Sequence, residues 1–472
     1  MTGTTPESAP DVARVHRLDA LLARLRAPID GSSLAVFRIV FGLIALIEVY
    51  RYFAHAWISR YWVDPTVHFT YTGFGWVHPM GEAAMHALWM ILGGAAAGIM
   101  LGIFYRASCL VFALGFGYSF LLESARYLNH FYLIALLALL LAFVPADRVW
   151  TLDVRIRKPP KPEQRGVPAW SLWLLRFQVG VVYVYGAIAK MESDWLRGEP
   201  MGTWLADESD RPLVGSLLAQ EWMGPAMAWA GLFFDLLIVF AVWWRPTRIP
   251  ALIAAASFHF INNNLFDIGV FPYLAFAALL LFCEPDWPRR IQRRMAGPTA
   301  PPLAAFEPPP PITEPRKRML AKVALAVAAV FVVAQLTIPL RHVVFSGKSN
   351  WTEAGHTFAW HMKLRIKDGE ATFVVLNPDT RQAVMVDPNL ELASWQYSKM
   401  AVRPEMLRQY AHHLADRFAE GGLPDVKVYA RTSASLNGRP HQPLVDPSVD
   451  LAAEPASLGT PSWVVPLKHP LP

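Results

Sequence analysis

The stretch VVYVYGAIAKMESDWLRGEPMGTW, Val181–Trp204, decides the fold. It contains the end of an apolar run from Trp170 to Ala189, and about 20 apolar residues rising 1.5 Å each can cross the hydrocarbon core of a bilayer. The run stops at Lys190, and a cluster of charged residues follows immediately. The chain is therefore organised around a membrane helix that ends on a lysine.

Lys190 has two interpretations. A lysine at the end of a membrane helix usually extends its ammonium group to the headgroup region and anchors the helix. Alternatively, an amine held among apolar neighbours loses its hydration, gives up its proton more readily and acts as a base at neutral pH. Residues elsewhere in the chain have to distinguish the anchor from the base.

The composition indicates a membrane protein. Of 472 residues, 54% are hydrophobic and 17% are charged, whereas soluble domains contain roughly 45–50% apolar and about 25% charged residues. The formal net charge of +6 does not indicate nucleic-acid binding, because the basic residues lie in short loops between apolar blocks. Cys109 and Cys283 fall in or beside apolar runs, where we expect them to pack rather than to bind a metal.

The apolar segments predict a mainly α fold: a polytopic helical membrane bundle of about nine transmembrane helices. We predict the bundle domain at residues 33–338, after a cytoplasmic N-terminal segment at residues 1–32. The predicted spans are approximately 33–53, 83–105, 108–122, 131–144, 170–190, 223–244, 249–260, 268–283 and 319–338.

The basic residues predict the orientation of the bundle. With the arginine-rich N-terminus in the cytoplasm, the basic loops at 148–165, 245–248 and 289–318 all lie inside. The acidic loop at 192–221 then lies outside. After nine crossings the chain from about Pro339 onward also lies outside the membrane.

Residues 339–472 predict an extramembrane α+β domain. One amphipathic helix is predicted at Arg403–Glu420, because apolar residues recur there on one face. A turn is predicted at Asp368-Gly369 between the first two strands. The predicted strands are Thr357–Ile366, Ala371–Leu376, Val426–Ala430 and Trp463–Val465.

Polar side chains from three predicted spans share one depth near the outer face. Lys190 ends the fifth span, Asn129 and His130 open the fourth, and His259 closes the seventh, with Asn263 after it. Each residue alone has an ordinary structural explanation, but intramembrane ionisable groups tend to mark functional sites. We therefore predict that these five residues line one cavity beneath the outer domain.

Asp235 is a further charged residue within a predicted span, the sixth. Its candidate partners are Arg38, a histidine and Lys190. The sequence does not choose among them, and a structural role for Asp235 is slightly favoured.

Long motifs in this order resemble those of the vitamin K-dependent γ-glutamyl carboxylase and its bacterial relatives. The resemblance runs from about Ser33 to near the C-terminus. The motifs include LNHFYL (Leu128–Leu133), GAIAKMESDWLRGEPM (Gly186–Met201), FHFINNNLFDIGVFPY (Phe258–Tyr273), GHTFAWHMKLR (Gly355–Arg365) and SWVVPL (Ser462–Leu467). The carboxylase that the chain resembles continues beyond the last motif with a β-rich region, so we expect part of its substrate-holding surface to be absent here.

The resemblance implies a membrane enzyme of the carbon–carbon lyase class. Its cofactor would be reduced vitamin K (the hydroquinone) or a menaquinol-like quinone, with O₂ and CO₂ as co-substrates and no metal. Lys190 matches the base that deprotonates the hydroquinone, which then reacts with O₂ to give an alkoxide and finally the epoxide. The alkoxide removes the γ-proton of a glutamate, and the carbanion takes up CO₂. His130 matches a histidine tied to carboxylation, and His259 matches another position that lines the site.

These matches define the predicted site and partners. The residues predicted as catalytic are Lys190, His130 and His259. The residues predicted to bind the quinone are Asn129, Asn263, Asp235 and Trp195. The expected partners are membrane lipid, a lipid-soluble quinol and a glutamate-containing peptide or protein, and the expected location is the bacterial inner membrane.

Two other functions remain open. A membrane quinol-handling oxidoreductase would oxygenate the quinone without carboxylating a protein, and a non-enzymatic membrane scaffold would use the same residues only for packing. Loss of epoxide formation in a folded Lys190 variant excludes the scaffold. Labelled CO₂ in a glutamate peptide separates the carboxylase from the oxidoreductase.

Overall fold

The computed structural model describes residues 20–153, 166–266, 268–297, 306 and 314–471. Parts of the predicted N-terminal segment and of the basic loops at 148–165 and 289–318 lie outside these described residues. We number the helices of nine residues or more α1–α11 and the strands β1–β5.

Helices dominate the chain up to residue 337, and one long helix follows in the outer domain. The helices are α1 Ser32–Ala54, α2 Glu82–Leu101, α3 Tyr105–Leu121, α4 Asn129–Phe143, α5 Ala169–Lys190, α6 Met223–Trp243, α7 Arg248–Leu265, α8 Phe271–Leu279, α9 Trp287–Ala296, α10 Pro315–Thr337 and α11 Pro404–Glu420. The strands are β1 Pro28–Asp30, β2 Gly166–Pro168, β3 Lys367–Leu376, β4 Ala383–Val386 and β5 Lys427–Leu436.

Five helices of the described chain are long and apolar enough to cross a membrane: α1, α2, α5, α6, and α10 together with the turn that follows it. Helices α3 and α4 are apolar but have only 17 and 15 residues, and 15 residues rise roughly 22 Å against a hydrocarbon thickness of about 30 Å. Helix α8 is shorter still, and α7 ends in a polar turn that contains three consecutive asparagines. All nine predicted segments are helical; length and composition support five of them as spans in the described chain, and the other four stay predictions.

Arg38 of α1 shows how the bundle satisfies a charge in its interior. The side chain is fully buried, and its Nη1 atom donates to the backbone oxygens of Ile99 and Met100 at 2.7 and 2.8 Å. These carbonyls belong to the last turn of α2, where oxygens lack partners within the helix. Gly102 ends α2 with a φ of +74°, and a Cβ atom there would lie 2.8 Å from Arg38 Nη1. Arg38 therefore caps α2 and is not the partner of Asp235.

The outer domain is built on a three-stranded antiparallel sheet in the order β4-β3-β5. Strands β3 and β5 pair along their whole length, from Lys367 opposite Leu436 to Leu376 opposite Lys427. Helix α11 buries Leu407, Tyr410 and Leu414 against this sheet. The predicted helix at 403–420 is therefore confirmed to within a residue. The strands predicted at 371–376 and 426–430 are confirmed as parts of the longer β3 and β5. The turn predicted at Asp368-Gly369 is wrong, because both residues pair with β5 inside β3.

The strand predicted at Thr357–Ile366 is wrong. This segment forms turns and loops, and Phe358, Trp360 and Lys363 all have φ values of 50–59°, which is left-handed backbone that no strand contains. Its large side chains pack down onto the bundle instead of into the sheet. The Trp360 ring stacks on Tyr132 of α4 at 4.9 Å. We call residues 355–366 the cavity loop.

The two domains share their hydrophobic cores. Trp360 of the cavity loop belongs to the core of the bundle, whereas Val67 and Phe69, from the connection between α1 and α2, belong to the core of the outer domain. Gln396 Nε2 joins the same regions, because it donates to the backbone oxygen of Val67 at 2.7 Å and to Glu123 at 3.0 Å. The outer domain is thus fixed over one end of the bundle.

Candidate active site

Lys190 and Asp235 form a buried ion pair between α5 and α6. Lys190 Nζ donates to Asp235 Oδ2 at 2.5 Å and to the backbone oxygen of Gly186 at 3.3 Å. Only 6% of Lys190 and 5% of Asp235 is exposed. Gly186 leaves room for the carboxylate, because a Cβ atom at this position would lie 3.2 Å from Asp235 Oδ2. An amine buried in this way is not a headgroup anchor, and Lys190 is the partner of Asp235 that the sequence left open.

The pair is closed off from water. Trp195 covers the amine, with its ring centre 5.4 Å from Lys190 Nζ and its indole nitrogen bonded to the backbone oxygen of Ala228 at 2.8 Å. The ring is 2% exposed, so Trp195 keeps water from the pair.

His259 lies in a pocket of aromatic rings. Its Nε2 atom and the hydroxyl of Tyr183 share a hydrogen bond of 3.1 Å. The imidazole is 4% exposed and packs against the rings of Phe234, Phe258 and Phe271. A single polar partner in an apolar pocket fixes the orientation of the histidine ring.

A cavity of about 850 Å³ lies between the bundle and the outer domain, and Asn129 and His130 line it. Lys190 and His259 do not line it; each is separated from it by one side chain. Phe271 lines the cavity with its ring centre 6.1 Å from His130 and 6.2 Å from His259. Met362 also lines the cavity, and its Cε atom is 3.1 Å from where a Cβ of Gly186 would lie.

Asn263 lies apart from these residues. Its side chain is exposed, although it is only four residues beyond the buried His259 on the same helix. The last turn of α7 carries exposed asparagines at 263 and 264, so it has left the packed interior. The prediction that all five polar residues line one cavity is therefore wrong for Asn263. Lys190 and His259 do not line the cavity either, because one side chain separates each of them from it.

Asn129 connects the bundle to the cavity loop. Its Nδ2 atom donates to the backbone oxygen of His361 at 2.8 Å, and its Oδ1 atom accepts from the Tyr127 hydroxyl at 2.9 Å. The same hydroxyl accepts from the backbone nitrogen of Phe358 at 2.7 Å. These three hydrogen bonds fix the loop over the start of α4, next to His130.

Three histidines of the outer domain meet at the cavity. The ring of His361 lies 4.7 Å from that of His342 and 4.9 Å from that of His356. Burial, together with the nearby positive charges, lowers the pKa of His361 to about 3 and that of His356 well below its usual value. Both rings are neutral at pH 7, and the two His361 nitrogens have no hydrogen-bond partner among the described residues. They can therefore accept or donate a hydrogen bond within the cavity.

A buried charge cluster closes the outer side of the cavity around Glu353. Arg365 Nη2 donates to Glu353 at 2.6 Å, and Lys367 Nζ lies 3.4 Å from it. Burial lowers the pKa of Lys367 to about 7, although Glu353 opposes this shift. Burial alone would raise the pKa of Glu353, but Arg365 and Lys367 outweigh it and hold the pKa below its usual value. The carboxylate is therefore anionic at neutral pH, whereas Lys367 is only partly protonated.

The outer domain also binds the loop that follows Lys190 through an ion pair. Asp194 receives two hydrogen bonds from Arg439, of 2.7 and 2.8 Å, and one of 3.0 Å from Asn437. Both charged side chains are at most 3% exposed. Asp194 directly precedes Trp195, so the ion pair holds the ring that covers Lys190. We call the Asp194–Arg439 pair the clamp.

Sequence reasoning missed several of these residues. Tyr183 and Gly186 lie on the predicted helix, about two turns and one turn before Lys190 respectively, but nothing in their spacing indicates which groups they face. Met362 lies in a motif of the outer domain, and its segment was interpreted as a strand. The clamp joins residues 245 positions apart, and no local pattern reports such a distance.

The two predicted asparagines give a direct test of the cavity. Replacing Asn129 by alanine removes its hydrogen bonds with the backbone oxygen of His361 and with the Tyr127 hydroxyl, which we expect to lower the free energy of unfolding by about 1–2 kcal/mol. The matched Asn263→Ala variant loses an exposed side chain and should stay within about 0.5 kcal/mol of the parent. Thermal unfolding of both purified variants in one detergent measures the difference, and an Asn263→Ala variant as destabilised as Asn129→Ala would contradict the geometry.

A buried lysine–carboxylate pair beneath an extramembrane cap defines a class of helical membrane protein with an enclosed polar site. A family model for the HTTM domain matches residues 26–287, more than half of the chain. A second family model, for the lumenal domain of vitamin K-dependent gamma-carboxylase, matches residues 320–470. No solved structure matches the chain. The chain belongs to the HTTM-domain family, and with the lumenal domain in its outer part it is a member of the vitamin K-dependent γ-carboxylase family.

Proposed function

We propose that the protein is an integral membrane vitamin K-dependent γ-glutamyl carboxylase, which couples oxygenation of a reduced quinone to CO₂ addition at glutamate side chains. The observation that carries this proposal is the buried Lys190–Asp235 pair, one side chain away from a large cavity under the outer domain. A desolvated amine is one of the few groups that can act as a base toward a hydroxyl of pKa near 10 at neutral pH.

The cavity fits a reduced quinone in size and in lining. Its volume of about 850 Å³ falls within the range of ligand pockets, about 300–1,000 Å³. The lining combines polar groups with aromatic rings, which suit a planar naphthoquinone. These rings are Trp57, Tyr61, Tyr71, Tyr127, Phe131, Phe266, Phe271 and Phe358. A bound vitamin K hydroquinone would supply an acidic hydroxyl and, with O₂, the strong base that glutamate deprotonation requires.

We assign the proton-handling role to Lys190. Its amine accepts the hydroxyl proton, and Asp235 stabilises the ammonium that results. Met362 lines the cavity beside Gly186, next to the Asp235 carboxylate that holds the amine, and an unbranched thioether side chain can change rotamer to admit the hydroxyl. Trp195 keeps bulk water away, which preserves both the free amine and any reactive base formed near it.

We assign glutamate binding to the outer part of the cavity. The lining of the whole cavity contains five basic and three acidic side chains, and a net positive lining favours a carboxylate ligand. The basic residues are Arg51, Arg126, Arg341, Lys363 and Arg403. The His130 and His361 rings line the same cavity and can hydrogen-bond a carboxyl group or CO₂-derived oxygens.

The decisive experiment uses purified full-length protein with reduced vitamin K, O₂, a glutamate peptide and labelled bicarbonate. We expect label in the peptide and vitamin K epoxide in comparable amounts. Epoxide without label in the peptide would identify a quinol-handling oxidoreductase instead. Neither product, with menaquinol as well as vitamin K hydroquinone, would contradict an enzymatic role.

We further propose nine membrane crossings, a cytoplasmic N-terminus and an outer domain outside the bacterial inner membrane. The support is the asymmetry of Lys and Arg among the loops. With Cys109 and Cys283 replaced, single cysteines placed in the 148–165 loop and after Pro339 should react from opposite sides with a membrane-impermeant reagent. Labelling of both positions from the same side would disprove this topology.

A further inference from the structure

A second cavity lies at the opposite end of the bundle from Lys190. Its volume is about 820 Å³, and it opens beside the start of α5, the end of α6 and the turn after α8. Arg176 lines it, 14 positions before Lys190 on α5, which corresponds to a rise of about 21 Å along the helix. The cavity is therefore separate from the candidate active site.

The lining of this cavity carries excess positive charge. Three arginines, Arg176, Arg245 and Arg248, face one carboxylate, Glu284. Glu284 already binds two of them: Arg245 Nε donates to it at 2.5 Å, and Arg248 Nη1 donates to its other oxygen. The Arg245 side chain remains 72% exposed. One carboxylate cannot neutralise three guanidinium groups, so the cavity retains a net charge of about +2.

Arg176 has only neutral partners. Its Nε and Nη2 atoms donate to the backbone oxygens of Leu281 and Cys283 at 2.7 and 2.8 Å. Its guanidinium lies 5.4 Å from the ring of Trp173 and 5.8 Å from the ring of Trp243. Among the described residues no carboxylate lies within ion-pair distance of it. A guanidinium two turns inside an apolar helix, beside a carboxylate (Glu284) that is already bound to two other arginines, indicates an anionic ligand.

The surroundings of the arginines indicate where that ligand comes from. Phe240, Trp243 and Trp244 line the same cavity and are 58%, 44% and 64% exposed. Tryptophan is enriched where hydrocarbon meets headgroups, and basic pockets between helices at this level suit phospholipid headgroups. We propose that this cavity binds the phosphate of an anionic phospholipid headgroup, with the acyl chains lying along the exposed aromatic side chains.

The test is native mass spectrometry of full-length protein with added dioleoylphosphatidylglycerol or dioleoylphosphatidylcholine. We expect tighter binding of the anionic lipid to the parent protein. Each basic residue near a membrane surface contributes a factor of about five to the affinity for anionic lipid. Arg245→Gln should therefore weaken the binding about fivefold, and the double variant Arg176→Gln with Arg245→Gln should weaken it about 30-fold. Arg176→Lys keeps the charge and should keep most of the affinity, even if Arg176→Gln fails to fold.

The matched control is Arg293→Gln with Arg294→Gln, which removes two exposed charges from α9 at the same end of the bundle. It should bind the anionic lipid like the parent. Equal weakening in this control, or equal binding of the two lipids to the parent, would overturn the proposal. Complete displacement of the lipid by millimolar inorganic phosphate would also overturn it, since the site would then recognise free phosphate rather than lipid.

Discussion

Replacing Lys190 by alanine is expected to abolish quinone epoxidation, with a fall in kcat of at least about a hundredfold, the usual contribution of a positioned general base. The amine donates to Asp235, and the Asp235 carboxylate and the cavity-lining Met362 both lie beside Gly186. Lys190→Arg should fail as well, because a guanidinium does not release its proton at working pH. The measurement is vitamin K epoxide formed per minute by purified variants.

The control separates chemistry from charge. Lys317 is an exposed lysine whose ion pair with Glu314 lies at the surface, and Lys317→Ala and Lys317→Arg should retain parental rates. Small amines added to Lys190→Ala should restore part of the activity, with a rate that rises with the free-base concentration. An active Lys190→Arg enzyme would show that position 190 supplies only positive charge, and His259 would become the first candidate for the base.

The sequence correctly predicted the helices whose ends are marked by a pattern of neighbouring residues. Helix α5 was predicted at 170–190 and is observed at Ala169–Lys190, because an apolar run ending on a charge marks both its length and its end. Helix α11 was predicted at 403–420 and is observed at Pro404–Glu420, because its apolar face repeats with the helical period. In both cases the deciding information lies within about 20 consecutive residues.

The parts that the sequence did not predict depend on rotation and on distant contacts. The sequence placed Lys190, Asn129 and His259 at one depth in the membrane. Depth does not specify which way each helix faces, so Asn263 was wrongly predicted to line the cavity. The cavity loop has the alternating aromatic pattern of a strand, yet its rings pack on α4 instead of a sheet. Such a loop is recognisable only when the surface that it covers is known.

The Asp194–Arg439 clamp also joins distant parts of the chain, and breaking it is expected to destabilise the protein strongly. Arg439→Gln leaves Asp194 buried with Asn437 and a more distant Lys348. Removing one partner of a buried ion pair costs about 3–5 kcal/mol, because the other charge stays uncompensated. Asp194→Asn should have a similar cost. The double variant should cost less than the sum of the two single changes, since neither charge is then left alone.

The pH dependence of the clamp follows from the pKa of Asp194. Burial alone would raise this pKa, but the hydrogen bonds from Arg439 and Asn437 outweigh burial and lower it to about 2. The unfolded carboxyl titrates near 3.9, so the folded form binds its proton less readily. The clamp therefore contributes its full stability above about pH 4, and this contribution is lost as the pH falls toward 2.

Thermal unfolding of the purified variants in one detergent, at pH 7 and at pH 3, measures both effects. The exposed Glu314–Lys317 pair is the control, because breaking a surface ion pair costs about 0–1 kcal/mol. We also expect the clamp variants to lose epoxidation at temperatures where they remain folded, since Asp194 holds the Trp195 ring over Lys190. If Arg439→Gln unfolds at the same temperature as Lys317→Gln and keeps the parental rate, the clamp neither stabilises the outer domain nor positions the base.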